Sequence, residues 1–93
     1  MNKKKLIVAR RKIDQIDKKI FELIKKRTQV VKYMLKLKKF KRQIVDKKRI
    51  NEILTKIRRK SIKAGIDTRT TNKIWKSMIW SYVDLQKRNF KKR

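Results

Sequence analysis

The chain has 93 residues, with 33 Lys and Arg against seven Asp and Glu, a formal net charge of +26, and no His or Cys. This composition excludes a thiol nucleophile, a histidine base, disulfides and a Cys/His metal site, and we expect neither a cofactor nor a metal. The length fits a single domain, residues 1–93, whose hydrophobic core would be marginal without a partner chain.

The positive charge has two interpretations. Clustered Lys and Arg gain affinity for nucleic acids by releasing counterions from phosphates. Here the Lys residues are scattered over every segment. Lys, Ile and Asn all have A- and T-rich codons, which suggests genome composition as a second hypothesis for the excess. We therefore expect nucleic-acid binding at low salt to be incidental, while a basic helical protein that binds nucleic acid stays open as an alternative.

The first residues, MNKKKLIVARRK, contain four consecutive apolar residues before charge resumes. That run is too short for the core of a signal peptide or for a membrane span. We expect a cytoplasmic protein that does not bind membranes.

The absence of Pro and the single Gly predict an all-α fold. The first helix is predicted from about Leu6 to about Lys39, because residues taken in alternating steps of three and four form a stripe, here named the α1 seam. Its members are Leu6, Ala9, Ile13, Ile16, Ile20, Leu23, Arg27, Val30, Met34 and Leu37. Nine of the ten are apolar and the exception is Arg27, which on such a face loses water and needs an anionic partner.

Two shorter helices should follow the long one. Asp46 is a good N-cap for the second, Gly65 suits its left-handed C-cap, and Asp67 caps the third. The apolar face of the second helix is predicted to contain Ile50, Ile53, Leu54 and Ile57. One side of the third is predicted to contain Ile74, Trp75, Met78, Ile79, Tyr82, Leu85 and Gln86.

The helix lengths bear on assembly. The first helix should be about 50 Å long and the second about 28 Å, so the chain cannot easily cover the α1 seam itself. A second copy that lays its own long helix antiparallel would cover it, which predicts an intertwined helical homodimer. A monomeric three-helix bundle is the alternative.

Three cations could meet at one pocket of such a dimer. Lys38 lies about 16 Å beyond Arg27 on nearly the same face, so the two can bracket a small anion. Arg10 lies about 26 Å before Arg27, too far to join that site within one chain. If the long helices cross near Ile20, Arg10 of a second copy lies opposite the stretch between Arg27 and Lys38.

These residues resemble those of a known family, the all-α (type II) chorismate mutases. The resemblance runs from about Leu6 to Arg88 and comprises RRKIDQIDKKIFELIKKR, KLK, VDKKR, AGID and DLQ in the family's order and spacing. It implies an intertwined homodimer, with Arg10 donated across the interface, that rearranges chorismate to prephenate in phenylalanine and tyrosine biosynthesis.

The resemblance also implies a role for each site residue. Arg27 and the other subunit's Arg10 would bind the two substrate carboxylates, while Lys38 and Gln86 would donate hydrogen bonds to the breaking ether oxygen. Arg49 would add positive charge, and Asp46 would help hold the ring hydroxyl.

Two positions depart from the family pattern. Ile50 stands where the family commonly has a Glu that accepts from the ring hydroxyl, and Glu52 points about 160° away from it on a helix. Tyr82 is the second departure: it belongs to the predicted substrate-binding residues, at a position where the family often has a small polar residue.

An isochorismate pyruvate-lyase on the same fold is a further alternative, since it uses a similar basic pocket.

Overall fold

The computed structural model describes residues 2–91, and over that range it contains three α-helices, one short 3-10 helix and no strand. The α-helices are α1, Lys3–Leu37; α2, Lys47–Ala64; and α3, Thr68–Asn89. The prediction of an all-α chain with one long and two shorter helices is confirmed. The terminal residues 1, 92 and 93 of the predicted domain lie outside the described residues.

The chain divides into two compact units, Met1–Val31 and Lys32–Arg93. The first unit consists of most of α1, and no residue along the whole of α1 is buried. Most apolar members of the α1 seam expose about half of their surface or more; these are Ile13, Ile16, Ile20, Leu23, Val30, Met34 and Leu37. The seam is therefore present on α1 as an apolar stripe of exposed side chains.

The second unit is built on the packing of α2 against α3. Its buried apolar residues are Ile44, Ile79 and Val83. Val83 was not among the predicted core positions, whereas Ile74, which was, is 53% exposed. The buried side of α3 is thus rotated toward Ile79 and Val83 relative to the predicted side.

Local signals set the ends of α2 and α3 as predicted. Asp46 accepts a hydrogen bond from the Arg49 N–H at 3.0 Å, and Asp67 accepts one from the Thr70 N–H at 2.9 Å. Gly65 ends α2 with φ of +69°, in the left-handed region that glycine adopts without strain. The N–H of Ile66 then donates to the Ser61 carbonyl at 2.9 Å, which completes a Schellman motif.

The link between α1 and α2 contains a 3-10 helix, Lys41–Gln43, that the sequence pattern did not predict. The side-chain oxygen of Gln43 accepts hydrogen bonds from the N–H groups of Lys39 and Phe40 at 2.8 and 2.9 Å. This glutamine therefore fixes the turn that follows α1. Over residues 2–91, no helix is both long and apolar enough to cross a membrane.

Candidate active site

Lys38 and Gln86 lie 48 residues apart in sequence and meet in the second unit. Lys38 is the first residue after α1, and Gln86 lies three residues before the end of α3. The Lys38 ammonium donates a hydrogen bond to the Gln86 side-chain oxygen at 2.7 Å. Gln86 is buried, with 7% of its surface exposed, so this contact forms at the edge of the α2–α3 core.

The hydrogen bonds of Gln86 fix which way its amide faces. An ammonium group can only donate, so the amide oxygen must be the atom that faces Lys38. The amide nitrogen then donates to the Tyr82 carbonyl, one turn earlier on α3, at 3.2 Å. The pair therefore presents two N–H donors, one charged and one neutral, anchored on different elements of the same unit.

Two opposing effects act on the pKa of Lys38. Partial burial lowers the pKa of its ammonium below the ordinary value of 10.5, and the Asp46 carboxylate partly offsets this because it favours the charged form. Burial is the larger effect. A cation that has lost part of its hydration gains more from an anionic ligand than one in bulk water does.

Asp46 and Arg49 occupy the start of α2, and both are exposed. Asp46 is the N-cap residue, so its carboxylate holds the first turn of α2 while it acts on Lys38. The Arg49 guanidinium lies 4.0 Å from the Glu52 carboxylate, one turn along the outer face of α2. The structure thus places Arg49 beside an acidic neighbour that the sequence-based roles did not include.

Ile50 is half-buried, as expected for a residue on the core-facing side of α2, while Glu52 is exposed. The two side chains therefore point in different directions, as helix geometry predicts. Tyr82 is half-buried on α3, and its backbone carbonyl is the acceptor for Gln86.

Arg10 and Arg27 belong to α1 and to the first unit. Arg10 is exposed and Arg27 is half-buried. Seventeen residues of continuous helix separate them, about 26 Å along the axis, so they cannot both contact one small molecule from the same chain.

Metal-binding side chains do not gather anywhere in residues 2–91, where no three Asp or Glu residues are grouped to hold an ion. Around Lys38 and Gln86 the described residues supply an ammonium group, a side-chain amide and the Asp46 carboxylate.

Comparison with known proteins places the chain in a family. Residues 9–87 match the family described as chorismate mutase type II, which covers most of the chain. The protein therefore belongs to the type II chorismate mutase family. No curated protein and no solved structure gives a significant match to the chain.

The opposing effects on Lys38 can be measured by titration. We expect NMR of the lysine side chains, with Lys38 assigned by comparison with Lys38→Arg, to give a pKa for Lys38 below 10.5. Asp46→Asn should lower it further, because asparagine still caps α2 but no longer stabilises the ammonium by its charge. Asp67→Asn, the matched change at the N-cap of α3, should leave the Lys38 pKa unchanged. A Lys38 pKa that rises in Asp46→Asn would contradict this description of the site.

Proposed function

We propose that the protein catalyses the Claisen rearrangement of chorismate to prephenate, in the cytoplasm and on the route to phenylalanine and tyrosine. Family membership supports the reaction class. The observation that carries the proposal for this chain is the Lys38–Gln86 pair, joined at 2.7 Å, with Gln86 buried.

This reaction suits the side chains that the protein has. In the rearrangement one carbon–oxygen bond of the ether breaks as one carbon–carbon bond forms, with no proton transferred to the protein and no covalent intermediate. A chain without His or Cys is therefore adequate for it. The reaction requires a compact substrate conformation and hydrogen-bond donors placed where negative charge grows on the ether oxygen.

Lys38 and Gln86 fill the donor role in this proposal. The amide nitrogen of Gln86 has two N–H groups, so one donates to the ether oxygen while the other stays on the Tyr82 carbonyl and the amide oxygen stays on Lys38. A second N–H of the Lys38 ammonium reaches the same ether oxygen, since an ammonium has three donors. Donors that are already fixed need little reorganisation as the charge develops.

The substrate carboxylates are bound by arginines of α1 in this proposal. Arg27 binds one, and Arg10 of a second copy binds the other, because the two arginines of a single chain are about 26 Å apart. The exposed α1 seam supports the second copy: an apolar stripe of this length is stabilised by burial against the same stripe of a partner.

The remaining residues adjust the site. Asp46 holds the ring hydroxyl of chorismate and favours the charged form of Lys38. Arg49 adds positive charge once its exposed contact with Glu52 opens. That contact is weak, because both side chains are more than half exposed. Tyr82 lines the substrate site from α3. Ile50 supplies no acceptor for the hydroxyl, so we expect weaker substrate binding than a Glu at this position would give.

The role of Lys38 can be tested by removing its ammonium. Lys38→Ala should lower kcat by roughly a hundred- to a thousandfold, the usual loss when one preorganised donor to a developing charge is removed. Lys39→Ala is the matched control, since it removes the same charge one residue further along from an exposed position, and it should retain activity. A loss confined to KM would place Lys38 in substrate binding alone.

Gln86 can be tested by changing a donor into an acceptor. Gln86→Glu should be active only at low pH, where the introduced carboxyl group is protonated and can donate. Gln43→Glu is the matched control, because the Gln43 side chain acts as an acceptor and a carboxylate can replace it. Gln43→Glu should therefore keep its activity at neutral pH. Equal pH profiles for the two variants would contradict the donor role of Gln86.

The homodimer can be tested on two adjacent exposed positions. Ile16→Lys places a charge on the α1 seam, and we expect sedimentation to show mostly monomer and turnover to be lost with the dimer. Gln15→Lys adds the same charge on a different side of α1 and should stay dimeric and active. A stable, active monomer would show that Arg10 need not come from a second copy.

A further inference from the structure

One side of α3 carries a row of exposed side chains that the proposed active site does not use. Its positions, named here the α3 stripe, are Arg69, Lys73, Lys76, Trp80, Asp84 and Lys87, and all six are exposed. With 3.6 residues per turn they fall within an arc of about 80° and extend about 27 Å along the helix. The row is therefore continuous and straight.

Trp80 is the only aromatic residue in this row and exposes 47% of its surface. Lys76 lies one turn before it, and Lys73 and Lys87 lie two turns away on either side. Proteins that bind single-stranded nucleic acid combine these two features: cations that follow the phosphates and an aromatic ring on which an unpaired base stacks.

The single acidic residue of the α3 stripe is neutralised locally. Asp84 lies one turn after Trp80, and its carboxylate accepts a hydrogen bond from the Arg88 guanidinium at 2.8 Å. The four cations Arg69, Lys73, Lys76 and Lys87 therefore determine the charge of the row. The stripe therefore has a net positive charge, with three cations before Trp80 and one after it.

We propose that the α3 stripe binds single-stranded nucleic acid, with phosphates on its lysines and arginine and one unpaired base on Trp80. This goes beyond the mutase function, because the stripe includes none of the residues assigned to the substrate. An anionic membrane is the weaker fit: a helix that lies on a membrane needs an apolar face, and this row has one apolar residue.

Base stacking on Trp80 predicts a preference for single strands over duplexes, which charge alone does not predict. A duplex has the higher charge density and its bases are already paired and stacked, so pure electrostatics favours the duplex. We expect fluorescence anisotropy at near-physiological salt to show tighter binding to a short labelled oligothymidylate than to a duplex of equal length. Tighter duplex binding would overturn the proposal.

Trp80 provides the sharper test. Trp80→Ala should bind the oligothymidylate about tenfold more weakly, the scale of one lost stacking contact, while Trp80→Phe should keep most of the affinity. Binding of both variants to heparin, a polyanion without bases, should match that of the parent protein. Equal losses for heparin and oligothymidylate, or no loss for either, would overturn the assignment of Trp80.

The lysines can be compared with lysines on another face that carry the same charge. Lys73→Gln combined with Lys76→Gln should weaken oligothymidylate binding and reduce its salt dependence. Lys56→Gln combined with Lys63→Gln, on the exposed face of α2, should have a much smaller effect. If both double variants lost the same affinity, binding would depend on the net charge of the protein, and the proposal for the α3 stripe would be wrong. Turnover of chorismate by Trp80→Ala should equal that of the parent, so this test is independent of the proposed mutase activity.

Discussion

The hydrogen bond between Lys38 and Gln86 is the contact on which the rest of the site depends. It joins the end of α1 to α3 at the edge of the α2–α3 core and orients a buried amide, because an ammonium can face only the amide oxygen. Partial burial lowers the pKa of Lys38, and Asp46 limits that effect from the N-cap of α2. The end of α1, the N-cap of α2 and α3 therefore all act on the Lys38 ammonium, the group that we propose interacts with the substrate.

The sequence predicted best those features that local chemistry determines. The caps at Asp46 and Asp67 and the left-handed Gly65 all depend on residues within one turn, and each forms as expected. Helical periodicity also located the three helices. Helical periodicity did not predict correctly which side of α3 faces the core. That side includes Val83 and leaves Ile74 exposed, because the rotation of a helix about its axis depends on how it packs against its neighbour.

Less of the site than of the fold could be predicted from the sequence. Helix spacing alone selected Lys38 and placed Gln86 on the predicted side of α3, but only the family resemblance brought the two together, since no periodic pattern links residues 48 positions apart. The Gln43 turn and the Arg49–Glu52 contact depend on side-chain geometry that composition does not reveal. The proposed roles for Arg10 and Arg27 depend on a second copy, which one sequence specifies only through the apolar α1 seam.

The most direct test of the proposed function is to mix the purified protein with chorismate, follow the loss of its ultraviolet absorbance, and identify the product. We expect prephenate from the parent protein and almost none from Arg27→Ala, whose guanidinium would bind a substrate carboxylate. Salicylate and pyruvate from isochorismate, with no prephenate from chorismate, would indicate a lyase instead. No turnover of chorismate over a range of salt concentrations would contradict the mutase function.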